Sequence, residues 1–190
     1  MLSSRCLPLF ALLLAAPLAG LHAEDAVSAV DPATGYHIGN YRGGTPAQAP
    51  GATTVSTADV QRLREAGAAL IDTFGVPGVE PDPLSGEWVF AAPHETIPGS
   101  SWVPNVGTGT LTRTMEAYFR ESLARAAGPP PGKSIVFFCQ KDCWISWNAA
   151  KRAASWGYTA VNWYPEGTDG WMDAGLPFVK AATPQPVTME

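Results

Sequence analysis

The chain has 190 residues, of which 46% are hydrophobic, 15% charged and 10% aromatic. That composition suits one packed domain with extensions and excludes a disordered or collagen-like polymer. A formal net charge of -5 disfavours electrostatic binding to nucleic acid.

Residues 1–23 have the pattern of a secretory signal: Arg5, an apolar stretch from Leu7 to Leu18, and small residues before Ala23. The apolar run is too short for the roughly 20 residues that span a bilayer, so export with cleavage and no membrane segment afterwards is expected. Cleavage removes Cys6 and leaves Cys139 and Cys143 as the only thiols. An oxidising compartment then makes them a disulfide, a redox pair or a site held reduced by a partner.

Residues 24–55 read as an extended lead-in, rich in Gly, Pro, Ala and Thr and partly ordered by Tyr36 and Tyr41. Ser56 to Gly67 predicts a helix, with Ser56 as N-cap, Asp59 three residues on and Gly67 as its end. Ala68 to Phe74 is an apolar run of strand length, and Glu87 to Ala91 is a candidate short strand among many turn residues. Leu111 to Ala126 carries Leu111, Met115, Tyr118, Phe119 and Leu123 on one helical stripe. Beyond Gly128 to Gly132, Ser134 to Phe138 predicts a buried strand and Ile145 to Trp156 a helix. Thr159 to Tyr164 predicts a further strand, and Asp169 to Ala174 a short helix. Strands alternating with helices define an α/β domain with an open, mainly parallel sheet flanked by helices, over residues 56–180, with a tail at 181–190.

Chemistry concentrates at the turn from the predicted strand Ser134 to Phe138 into the next helix, Cys139-Gln140-Lys141-Asp142-Cys143-Trp144. Binding crevices of parallel sheets lie beyond the carboxyl ends of the strands. Amides at a helix N-terminus favour an anion, so a thiolate at Cys139 is stabilised there, aided by Lys141 and opposed by Asp142. A thiol at Cys143 is placed to resolve a persulfide, sulfenic acid or mixed disulfide on Cys139. A plain disulfide closing so small a loop contributes only about 2 kcal/mol. With only His37 and His94 far upstream, the pair has no zinc spacing, and neither a metal nor a cofactor is expected.

The remaining singled-out residues have structural roles in this reading. Asp72 and Asp169 order loops by accepting backbone hydrogen bonds, and most tryptophans pack the core. Trp144, within the loop, is free to line a pocket. Lys151 and Arg152 fall on a solvated helix face.

The stretch from Ile135 to Val179 resembles the C-terminal half of a rhodanese domain, with its active Cys after a strand and its ending at Gly167, Asp169, Trp171 and Ala174 to Pro177. Leu70, Ile71, Asp72 and the segment His94 to Gly99 resemble that family's first half. Cys143, Trp144, Trp147, Asn148, Ala149, Ala150, Lys151 and Arg152 resemble one exported subfamily, the PQQ-dependent catabolism-associated CXXCW motif proteins. The resemblance implies a rhodanese-like fold and a periplasmic protein. It also implies sulfur transfer or thiol-disulfide redox, in association with PQQ-dependent alcohol catabolism. Two features depart from the pattern: three residues separate the cysteines, and Trp144 stands where a sulfurtransferase carries an anion-binding Arg. The alternative is a non-catalytic accessory module with a structural disulfide, binding a quinoprotein dehydrogenase, a cytochrome or a small ligand. The enzyme reading requires instead a thiol reductant as partner.

Overall fold

The computed structural model describes residues 30–76 and 78–188. The segment expected to be a signal, with Cys6, lies outside them. The regular elements begin with strand β1 (Thr53–Thr54), helix α1 (Thr57–Glu65) and strand β2 (Ala69–Asp72). Two short strands follow, β3 (Glu95–Thr96) and β4 (Ser101–Trp102), then helix α2 (Arg113–Ala127) and strand β5 (Ile135–Phe138). Helix α3 (Trp144–Ser155), strand β6 (Val161–Tyr164), helix α4 (Gly167–Asp173) and strand β7 (Val179–Lys180) complete the chain.

Five strands form one sheet in the order β1-β6-β5-β2-β4, every neighbouring pair parallel. This is the open parallel α/β architecture expected from the sequence. The register aligns Asp72, Phe138 and Tyr164 across the three central strands. All three therefore end at one rim. β3 and β7 pair antiparallel as a separate ribbon.

The central strands are apolar on both faces because helices cover both. Ala69, Ile71, Ile135, Phe137, Val161 and Trp163 pack with Phe119 and Leu123 of α2 and Ala149 and Ala153 of α3. Alternate residues Leu70, Val136, Phe138 and Tyr164 pack with Val60 of α1 and Trp171 of α4. Local chemistry sets the helix ends. Ser56 and Asp59 form a reciprocal capping box on α1, and Thr112 accepts the Met115 amide at the start of α2.

Three expectations need correction. Glu87 to Ala91 is irregular: the Glu87 carbonyl accepts the Asp82 amide inside a turn rather than pairing in a sheet. Trp144 is the first residue of α3, buried to 6% exposure against Trp147 and His37. Arg152 is also buried, at 6% exposure. It donates to the carbonyls of Val106, Thr108 and Gly109 at 2.9 Å each, so its face of α3 is covered by chain and not by water. Lys151 is half-buried and bonds the Thr34 and Gly35 carbonyls at 2.9 and 2.6 Å.

The covering chain is the lead-in. From Val30 to Ala52 it runs irregularly over α3 and the turn before it, held by a row of α3 side chains. Asn148 accepts the His37 amide and donates to the carbonyls of His37 and Gly107. Trp147 donates its indole N–H to the Gln48 carbonyl, and Lys151 and Arg152 lie over the Tyr36 ring. This segment is called the strap below. The tail is held too, with Val187 buried and its amide bonded to the Gly86 carbonyl at 2.8 Å.

Candidate active site

The rim at the carboxyl ends of β2, β5 and β6 carries the chemistry, and β5 delivers Cys139 directly to it. Cys139 and Cys143 are joined as a disulfide, with Cα atoms 6.2 Å apart. Both are buried, with Ile145, Tyr41 and Phe74 packed against them. Cys143 is the N-cap of α3 in extended conformation, so the helix's positive end lies at Cys143 while Cys139 stands at the strand's end.

The loop between them is fixed at each residue. Asp142 sits in the left-handed region at φ 54, which Asp tolerates better than most side chains, and its carbonyl accepts the Gly43 amide at 2.9 Å. The Lys141 amide donates to Asp169 Oδ2 at 2.7 Å, while the Lys141 side chain is exposed. Gln140 accepts from Arg42 Nη1 at 2.8 Å. The Cys139 carbonyl accepts the Thr168 amide at 2.8 Å. This approach of α4 requires glycine at 167, where φ is +54 and a Cβ would collide with that carbonyl.

Asp72 is fully buried at the end of β2. It accepts the Phe74 amide at 2.9 Å, Thr96 Oγ1 at 2.6 Å and His94 Nε2 at 2.7 Å. His94 in turn stacks on Phe74, with centroids 4.8 Å apart. Asp72 thus reaches the cysteines through the ring of Phe74, which it holds in place.

A cleft of about 760 Å³ opens beside the disulfide. Its walls include Phe74, Val79, Trp88, Leu111 and Met115, together with Tyr41 and Arg42 of the strap. Cys139, Gln140 and Cys143 line it, whereas Trp144 does not. Sequence reasoning therefore assigned the wrong tryptophan: Trp88, in the segment read as a short strand, lines the cleft. It also missed Arg42, whose only sequence signal is a position one residue after Tyr41. Among the described residues there is no cluster of three or more potential metal ligands.

No protein-family model matches the chain, and no curated protein matches it. Three solved structures are similar in shape. The thiosulfate sulfurtransferase from Pseudomonas aeruginosa matches at 20% identity and TM-score 0.47, over 73% of this chain and 22% of that one. The chain thus spans under a quarter of that protein's length. The polysulfide-sulfur transferase homodimer from Wolinella succinogenes matches at 20% identity and TM-score 0.42, over 69% of this chain and 80% of that one. An uncharacterized protein from Saccharomyces cerevisiae matches at 22% identity and TM-score 0.41, over 65% and 93%.

Proposed function

We propose that this is an exported, rhodanese-like thiol protein whose Cys139–Cys143 pair carries sulfur or exchanges disulfides. The observation behind this reading is a disulfide on the wall of a large cleft at the carboxyl end of the central strand. The same position that binds ligands in open parallel sheets here holds two sulfurs within bonding reach.

In the reduced state the Cys139 thiolate attacks the sulfane sulfur of an organic persulfide, R–S–SH. The S–S bond of the donor breaks, RS⁻ leaves, and Cys139 becomes a persulfide. The Cys143 thiolate then attacks Cys139 Sγ. The new Cys139–Cys143 bond forms as hydrosulfide leaves with the electron pair of the broken bond. The disulfide is the end point of that cycle. A thiol reductant returns it: its thiolate attacks Cys139 and expels Cys143, whose negative charge falls at the positive end of α3. A second reductant thiol releases Cys139 as thiolate.

A periplasmic location and service to PQQ-dependent alcohol oxidation, beside a quinoprotein dehydrogenase or cytochrome, are the finer form of this proposal. Their support is the likeness carried by Cys143, Trp144, Trp147, Asn148, Lys151 and Arg152. The burial of both cysteines, 2% and 5% exposed, favours a second reading, a structural bridge in an accessory module. Intact mass separates the two. Reduced Cys143→Ser protein given glutathione persulfide gains one sulfur atom at Cys139, and Cys139→Ser protein gains none. If Cys139→Ser accepts sulfur as fast as wild type, the proposed nucleophile is wrong.

A further inference from the structure

From the guanidinium that the strap brings to the disulfide, we infer that the cleft takes a thiol or persulfide with an apolar body and an anionic end, and that Arg42 recognises the anion. The inference rests on the thiol reading above and names the substrate class of that site.

Arg42 is exposed at the cleft and bonds Gln140, the residue next to Cys139, through one of its five N–H donors. Its backbone lies directly opposite Cys143, as an isolated antiparallel bridge. The Gly43 amide bonds the Asp142 carbonyl, and the Trp144 amide bonds the Tyr41 carbonyl, both at 2.9 Å. Arg42 is therefore fixed at its root on both sides of the cysteine loop. No ion pair neutralises it among the described residues, so its remaining donors are available to a carboxylate or sulfonate.

The loop itself offers no alternative cation to the cleft. The Lys141 side chain does not line it, and Trp144 is turned into the protein against His37. Glu80 is the acid among the lining residues, and it belongs to the segment after Phe74, not to the cysteine loop. The walls contributed by Phe74, Val79, Trp88, Leu111 and Met115 suit a hydrocarbon or aryl body. A volume of about 760 Å³ exceeds what a donor as small as hydrosulfide requires and falls in the range that takes a drug-sized molecule.

The test uses 4-mercaptobenzoate and its neutral isostere 4-mercaptobenzamide as reductants of the oxidised protein, at low ionic strength. Wild type is expected to react with the acid about tenfold faster than with the amide after correction for thiol pKa, as a charge-assisted pair implies. Arg42→Gln removes that preference, and Glu80→Gln retains or increases it. Equal rates in wild type, or a preference that survives Arg42→Gln, overturn the inference while leaving the thiol reading intact. If neither reductant reacts, the thiol reading fails. Binding of 4-ethylbenzoate against 4-ethylbenzamide, followed by tryptophan fluorescence, then decides the anion preference separately. Preference for the acid that depends on Arg42 upholds the site, and equal binding refutes it.

Discussion

His37 lies flat against Trp144, with ring centroids 4.3 Å apart and planes inclined by 10°. One ring belongs to the strap and the other opens α3, immediately after Cys143. The stack ties the N-terminal segment to the helix that carries the cysteine turn, and Asn148 closes the join one turn further on. The tryptophan at 144 thus acts through packing, away from the cleft.

Asn148→Ala tests the join. Asn148 is fully buried and serves two His37 backbone groups and the Gly107 carbonyl. Loss of the amide leaves buried backbone groups unpaired, with an expected cost of about 2–3 kcal/mol. Chemical denaturation measures that loss, and hydrogen exchange should show residues 36–43 losing protection ahead of β5.

Arg152→Met is expected to destabilise the fold by about 2–4 kcal/mol, because three carbonyls, two of them buried, lose their donor at once. Burial pulls the guanidinium below its ordinary pKa, opposed by Tyr36, Glu116 and Tyr41. Arg152→Lys should recover only part of the loss, since an ammonium lacks the planar fork that spans the loop. Thermal unfolding of the two variants side by side checks the order.

Gly167→Ala places a methyl against the Cys139 carbonyl and forces a left-handed backbone on a residue with a side chain. A loss of about 1–3 kcal/mol is expected. Because the Thr168 amide bonds that same carbonyl, the variant should also change the alkylation rate of reduced Cys139. A stability loss with unchanged Cys139 reactivity would detach α4 from the site.

The parts of the molecule legible in the sequence are those whose signals are local. β5 is an apolar tetrad, β2 and β6 depart from one only at Asp72 and Asn162, and Ser56 with Asp59 announces α1 before its first turn. β1, β3, β4 and β7 are two residues long, too short to carry a period, and exist only through their partners. The cysteine turn was legible because a strand-length run ends at Cys139. The strap was not: His37 and Asn148 are 111 residues apart, and Lys151 and Arg152 read as solvent-facing until chain from elsewhere lies over them. Arg42 reached the cleft by the same long-range route.

Asp72→Ala separates scaffold from chemistry at the rim. It removes the acceptor shared by Phe74, Thr96 and His94, with an expected cost of about 3 kcal/mol. Phe74 then loses its anchor beside Cys139 and Cys143, so the disulfide should become easier to reduce in the folded protein. Reduction half-times under a fixed dithiothreitol concentration, compared with His94→Ala, resolve the two contributions.

The most direct measurement is the equilibrium between the oxidised and reduced pair in glutathione buffers, read by trapping thiols and counting them by intact mass. A reactive pair equilibrates in folded protein, with a midpoint above about −300 mV. A pair that stays oxidised below about −300 mV, and opens only when the fold does, contradicts a role in sulfur or disulfide exchange.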